Sequence, residues 1–241
     1  PPIRIRRPHA PLRAPSILHV PGDPSSAAFL LSAALFVPGG SITVRGIDAN
    51  PTRLGFLDVL DRMGADAIRI PPGEAAGDPV IDVAIHHRPL RATIVESAEI
   101  PALVDEVPLL AVLATTAEGT TEIRGAGELR GKESEPGRGP GARVAGDGGA
   151  ADRLAATALG LRAMGADVDE LPDGLRIRGP TPLRGAALHA HGDHRIAMAF
   201  AIAGLAAEGE TTIDAAECAD VSFPGFYALL AQLTAGAVRT T

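Results

Sequence analysis

At 241 residues, with 46% hydrophobic side chains, the chain is long enough to bury a substantial core, and 3% aromatics with no Trp means that core is built from Ala, Leu, Val and Ile. A formal net charge of −7 argues against a nucleic-acid partner, since affinity for a phosphate backbone comes from neutralisation by Lys and Arg. One cysteine, Cys218, leaves no internal disulfide framework and fits a reducing, cytoplasmic setting, and the longest apolar runs, about a dozen residues, are too short to span a bilayer and argue against a membrane partner.

In chain order, a Pro- and Arg-rich lead without an initiator Met (Pro1-Pro2-Ile3-Arg4-Ile5-Arg6) reads as the continuation of something longer and shows no secretory signal. His19-Val20-Pro21-Gly22-Asp23-Pro24-Ser25-Ser26 then precedes an apolar run to Val37. Asp23 or Ser25 can cap a helix there by accepting from its free amides, Pro24 suits the first turn, and Pro38-Gly39-Gly40 stops it. Residues 41–45 (SITVR) alternate as a strand does. Residues 51–63 put Leu54, Leu57, Leu60 and Met63 at helical spacing up to Gly64, and 67–70 and 80–85 read as two more strands.

A second copy of this pattern begins at Val104-Asp105-Glu106-Val107-Pro108, with a helix to Glu118, a turn at Gly119 and a strand at 120–124 (TTEIR). Its later helix, 153–164, ends in Met164-Gly165-Ala166-Asp167, matching Met63-Gly64-Ala65-Asp66. A third copy starts at Asp193-His194-Arg195, predicts a helix to Glu208 and turns at Gly209 into a strand at 210–213. A period of about 80 residues is too long for a solenoid. The pattern predicts an α/β fold: a single domain over 1–241 in which three βαβαββ-type units surround a pseudo-threefold axis. Within the second unit, residues 136–151 (PGRGPGARVAGDGGAA) have no periodicity and too little apolar surface to order themselves, which predicts a disordered surface insertion.

The chemistry-bearing residues cluster at the starts of these helices. Of 22 Lys and Arg residues only Lys132 is a lysine, and it sits beside Glu133, a possible proton donor. The pair reads either as a solvated surface ion pair or as a functional one, and surface ion pairs do not require Lys over Arg. Asp105 reads as a helix N-cap, as a functional carboxylate, or as both. Arg195 is harder to account for by helix formation, because a cation at a helix N-terminus opposes the macrodipole unless an anion reverses the sign. His189, His191 and His194 have no metal-ligand spacing, no Gly-rich stretch continues into a phosphate-loop Lys-Ser/Thr, and no Gly-x-Ser-x-Gly elbow occurs. Acid, base and cation work on an anionic small molecule remains.

At these residues the sequence resembles the 5-enolpyruvylshikimate-3-phosphate synthases, or 3-phosphoshikimate 1-carboxyvinyltransferases. The stretches that carry the resemblance are Val20-Pro21-Gly22-Asp23-Pro24-Ser25-Ser26-Ala27-Ala28-Phe29, Asn50-Pro51-Thr52-Arg53, Val104-Asp105-Glu106-Val107-Pro108, Glu128-Leu129-Arg130 with Lys132-Glu133-Ser134, Asp193-His194-Arg195-Ile196-Ala197-Met198 and Val221-Ser222-Phe223-Pro224. They run in the family's order over residues 18–233. The family's enzyme has two similar lobes that close on substrates between them, and this chain resembles the carboxy-terminal lobe of that enolpyruvyl transferase fold.

The resemblance implies transfer of the enolpyruvyl group of phosphoenolpyruvate to the 5-hydroxyl of shikimate 3-phosphate with release of phosphate, in aromatic amino acid biosynthesis. It implies Asp105 as base, Lys132 as a proton-relay cation and Glu133 as proton donor, with Asp105, Glu128 and Lys132 on shikimate 3-phosphate and Arg153 and Arg195 on phosphoenolpyruvate. It implies no metal and no organic cofactor, and as partners the two anionic substrates and an amino-terminal lobe. Two departures stand against the family pattern: Glu135 and the insertion separate Lys132-Glu133-Ser134 from Asp152-Arg153, and the amino-terminal lobe is missing from the chain. Two other readings remain, a UDP-N-acetylglucosamine enolpyruvyl transferase and a non-catalytic substrate-binding remnant.

Overall fold

The computed structural model describes residues 16–75, 77–131 and 152–239, together with Ile3, Arg4, Arg6 and Arg13. Lys132, Glu133 and the insertion expected at 136–151 lie outside the described residues.

Helix α1 (Pro24–Phe36) starts as the sequence predicts: the Asp23 carboxylate accepts from the Ser26 amide at 2.8 Å, and Pro24 occupies the first turn. It ends before Gly40, where a Cβ would stand 2.5 Å from the Ala34 carbonyl oxygen. Strand β1 (Ser41–Asp48) follows. The helix expected over 51–63 is in two pieces, a 3-10 turn at Pro51–Arg53 and α2 (Gly55–Arg62). The break falls where Gly55 is pressed against Ala102, a Cβ there standing 2.8 Å from the alanine's own. Strands β2 (Ile68–Ala75) and β3 (Asp78–His86) complete an antiparallel sheet in the order β1-β3-β2.

In the second stretch β4 (Ile94–Val95) leads through 3-10 turns at Ile100–Ala102 and Val104–Glu106 into α3 (Val107–Ala114). The sequence pattern predicts one helix from 104. Pro108 lacks the amide that an α-helix would need four residues past Val104, so the α-helix begins only at Val107, with Pro108 inside its first turn. Strand β5 (Gly119–Ile123), a 3-10 turn at Gly127–Arg130, α4 (Arg153–Ala163), β6 (Asp167–Leu171) and β7 (Gly174–Gly179) follow, the strands ordered β4-β5-β7-β6. The β6-β7 hairpin was legible in Leu171-Pro172-Asp173-Gly174-Leu175, a Pro-Asp-Gly turn between apolar residues that the repeat pattern passes over. Finally β8 (Ala187–His189), α5 (His194–Ala206), β9 (Thr212–Asp214), a 3-10 turn at Ala216–Val221 and α6 (Phe226–Leu233) close the described chain. No third hairpin like β2-β3 or β6-β7 follows β9 among the described residues, so the third unit departs from the expected βαβαββ order.

Among the described residues three β-α-β crossovers recur in this mixed α/β fold. Gly22 bridges Ile47 in parallel across α1, β4 pairs β5 in parallel across α3, and β8 pairs β9 in parallel across α5. The three crossover helices touch one another pairwise and are apolar nearly all round; every residue of α3 is buried. Alanines such as Ala28, Ala111 and Ala199 at 0–1% exposure let these helices approach closely without aromatics. Among the described residues no helix is long and apolar enough to cross a membrane.

The packing of α4 on α5 is tight enough to be tested. A Cβ on Gly160 of α4 would stand 2.1 Å from the Phe200 ring of α5. Gly to Ala in a helix interior ordinarily stabilises by about 1 kcal/mol, but overpacking a filled core costs about 1–3 kcal/mol. The clash wins, so Gly160→Ala should lower stability in urea denaturation; an unchanged or raised midpoint would mean that the two helices are not held at this spacing.

Candidate active site

The sites of interest lie where helix starts meet. Asp193 caps α5, one carboxylate oxygen accepting from the amides of Arg195 (2.8 Å) and Ile196 (3.3 Å). Its other oxygen accepts from Nε of Arg153, the first residue of α4, at 2.5 Å. Both side chains are buried, Arg153 at 3% and Asp193 at 2% exposure, so each charge is in low dielectric and depends on the other. Two helix N-termini are thereby joined by one ion pair.

Asp105 is the third member. It lies in the 3-10 turn before α3 and makes no side-chain cap there; the N-cap position of α3 belongs to Glu106, whose side chain does not cap either. Capping, alone or alongside another role, is therefore excluded for Asp105. Its carboxylate instead faces two guanidiniums, one oxygen 3.3 Å from Nη1 of Arg153 and the other 3.6 Å from Nη2 of Arg195. Arg195 keeps Nε and Nη1 buried with no hydrogen-bond partner among the described residues. The misfit of a cation at a helix N-terminus is thus only partly relieved by Asp105. Two donors remain that an anion would satisfy.

Of the residues singled out in the sequence, the structure brings together Asp105, Arg153 and Arg195. Glu128 stands exposed in the 3-10 turn Gly127–Arg130, and no hydrogen bond or ion pair joins it to those three. Lys132 and Glu133 are outside the described residues, but Arg130, two positions before the lysine, lies 2.7 Å from the Asp152 carboxylate that caps α4. Arg153 therefore reaches Asp105 and Asp193 despite the departure from the family pattern just before it. Two of the three histidines are explained locally: the Nδ1 of His189 accepts from the His191 amide at 2.8 Å, and His189 faces Asp214 at 3.6 Å.

Sequence reasoning missed Glu106. It is 5% exposed, and burial, the largest influence, pushes its carboxyl pKa up; a hydrogen bond with Ser25 and the charges of Arg195 and Arg53 oppose this, and the Asp105 charge adds to it. Ser25 in turn accepts from Nη2 of Arg53 at 3.0 Å, and that guanidinium also meets Asp23 at 3.2 Å. This chain of contacts ties the start of α1 to the turn that carries Asp105. The available signal was an acidic residue inside a run, Val104 to Leu113, that is otherwise almost wholly apolar.

The raised pKa carries a sign. Folding favours the protonated Glu106, so its contribution is full at pH below the usual glutamate range and is lost as pH rises through the raised folded value. Glu106→Gln, which mimics the neutral acid, should therefore gain stability relative to the unaltered chain as the pH is raised from acid to neutral, in paired thermal melts. A melting difference that does not change with pH would show that Glu106 does not titrate in this way.

Comparison with known proteins adds an independent line. The family model described as EPSP synthase (3-phosphoshikimate 1-carboxyvinyltransferase) matches residues 7–137 and 148–230. Among curated relatives, the 3-phosphoshikimate 1-carboxyvinyltransferase of Desulforudis audaxviator (strain MP104C) is 49% identical over 209 residues, covering 87% of this chain and 45% of that protein. That of Pelotomaculum thermopropionicum is 50% identical over 215 residues, 89% of this chain and 46% of that protein. Among solved structures, an EPSP synthase from Acinetobacter baumannii superposes with a TM-score of 0.79 at 35% identity, covering 92% of this chain and 47% of that one. The enolpyruvyl transferase NikO from Streptomyces tendae, at 23% identity and a TM-score of 0.62 over 90% of this chain and 43% of that one, shares the fold. The chain spans about half the length of the curated relatives it matches.

Proposed function

The chain belongs to the EPSP synthase family, and from that premise we propose that it is one lobe of an enolpyruvyl transferase, residues 1–241, carrying half of a site between two lobes. The reaction is the joining of the 5-hydroxyl of shikimate 3-phosphate to C2 of phosphoenolpyruvate, followed by loss of phosphate. The observation that carries this reading is the Asp105 carboxylate held between two guanidiniums, one of which keeps two buried donors unfilled.

The chemistry asks for three things: a base for the hydroxyl proton, an acid for the methylene carbon, and cations around phosphate and carboxylate. Asp105 is the base and contacts shikimate 3-phosphate. Arg195 and Arg153 are the cations for phosphoenolpyruvate, whose carboxylate and phosphate suit the planar fork of a guanidinium. Because base and cations are in contact, the hydroxyl that loses its proton and the carbon it attacks are held side by side, which supplies the proximity term of the barrier. Lys132 and Glu133 complete the set as proton-relay cation and acid, with Lys132 and Glu128 on the shikimate phosphate side. The names of the relatives favour shikimate 3-phosphate over UDP-N-acetylglucosamine as acceptor.

The three crossovers, each with its helix against the other two, support reading the lobe as three units around a pseudo-threefold axis, the third lacking its hairpin in the described residues. The partner is a second, amino-terminal lobe, and the setting is the cytoplasm. Phosphate release tests the whole reading. The 241-residue chain alone should not turn over shikimate 3-phosphate and phosphoenolpyruvate, and adding the complementary lobe should produce turnover. Normal turnover by the chain alone would contradict the half-site, and binding without turnover after the lobe is added would leave a substrate-binding remnant.

A further inference from the structure

Arg130 ends the 3-10 turn Gly127–Arg130, and each nitrogen of its guanidinium is engaged. Nε donates to the Pro172 carbonyl at 2.8 Å and Nη2 to the Leu171 carbonyl at 2.6 Å. Nη1 meets the carboxylates of Asp152 and Glu170, each at 2.7 Å. A single planar group thus closes together the turn that leads to Gly131, the corner of the β6-β7 hairpin and the cap of α4. Asp152 divides its oxygens between two tasks: Oδ1 accepts from the Ala155 amide at 3.0 Å, capping the helix, while Oδ2 takes Arg130. The next residue is Arg153.

The chain joining these two ends is longer here than the family pattern requires, since the family model leaves residues 138–147 unmatched. The entropy of closing a loop grows only slowly with its length, so extra residues threaten the position of the helix start more than the stability of the fold. Position matters at a reacting centre, where about 1 Å of displacement costs on the order of a hundredfold in rate.

We propose that Arg130 is a positioning residue: its guanidinium fixes the turn at Gly131 to the Asp152 cap, so that α4 begins at the same place whatever length of chain joins them and Arg153 keeps its contacts with Asp105 and Asp193. Only the consequence for phosphoenolpyruvate rests on the function proposed above. The placement of Arg153 does not.

The test compares Arg130→Gln, Arg130→Lys and Arg130→Gln with residues 138–147 deleted. The first readout is the NMR resonance and solvent exchange of the Arg153 Nε–H in the 241-residue chain, a signal that a general loss of stability leaves in place while the chain remains folded. The second is KM for phosphoenolpyruvate against kcat in the chain combined with its complementary lobe. Arg130→Gln should speed exchange of that proton about tenfold or more and lower kcat/KM for phosphoenolpyruvate by a similar factor, chiefly through KM, up to the roughly hundredfold loss of rate that an ångström of displacement commands. Arg130→Lys, which keeps the charge but not the fork, should not restore either. Deleting 138–147 should restore both, because the shortened chain then does the positioning. If Arg130→Gln does not fold, Asp152→Asn, which keeps an oxygen for the cap and loses the charge, takes its place in the same comparison. An Arg153 Nε–H that exchanges as in the unaltered chain, or a deletion that restores nothing, overturns the proposal. Absence of turnover in the unaltered two-lobe protein would overturn the proposed function and leave the NMR result to decide this one.

Discussion

Replacing Arg153 by Ala should destabilise the chain by about 3–5 kcal/mol, the cost of breaking a buried ion pair from one side. The side chain is 3% exposed and its Nε donates to Asp193, itself 2% exposed. Once the guanidinium is gone, Oδ2 of Asp193 is a buried carboxylate oxygen without its cation, while Oδ1 still caps α5. A surface pair offers the contrast: Arg178 and Asp167, both about half exposed, are joined at 2.8 Å, and breaking them should cost far less because water solvates either charge left alone. Urea denaturation of the 241-residue chain measures both. The double variant Arg153→Ala with Asp193→Asn should recover much of the loss, since no buried charge is then left alone. A loss for Arg153→Ala below about 1 kcal/mol would mean that water reaches the pair and that the low-dielectric account of this site is wrong.

In the two-lobe protein, Asp105→Asn should lower kcat by about 10²–10⁴, the usual contribution of a positioned general base, with little change in melting temperature. Asn keeps an oxygen that can accept from Arg153 or Arg195, so the fold loses a charge and retains a contact. Asp105→Ala makes the complementary measurement: it removes the carboxylate from between two guanidiniums and should lower both stability and rate. A kcat for Asp105→Asn within a few-fold of the unaltered protein would remove Asp105 as the base. Lys132→Arg is expected to behave like Asp105→Asn, folded but nearly inactive, because a planar fork does not occupy the position of a compact ammonium.

The apolar runs and their punctuation were readable along the chain. Asp23, Asp152 and Asp193 each accept from amides two or three residues on, and Gly64 and Gly165 take φ values of +87° and +89° where the Met-Gly-Ala-Asp stretches turn. Boundaries failed in two places. The predicted helix over 51–63 breaks at Leu54, beside Gly55 where it is pressed on Ala102, and Pro108 delays α3 so that a 3-10 turn takes Asp105 out of the capping position that its spacing suggested. For Glu106 the sequence offered only an acidic residue in an apolar run; its hydrogen-bond partner Ser25 and the charges of Arg195 and Arg53 come from other units.

By itself the sequence determined the starts of α1, α4 and α5, and that carboxylates and guanidiniums stand near them, because caps and helical periodicity depend on residues within about four positions of one another. Only the tertiary structure decided which carboxylate meets which guanidinium. Asp105 and Arg153 are 48 residues apart, and Arg153 and Asp193 are 40. Their meeting follows from the packing of α3, α4 and α5 on one another, which brings their starts to one place, where burial makes every charge depend on a partner that no local pattern names.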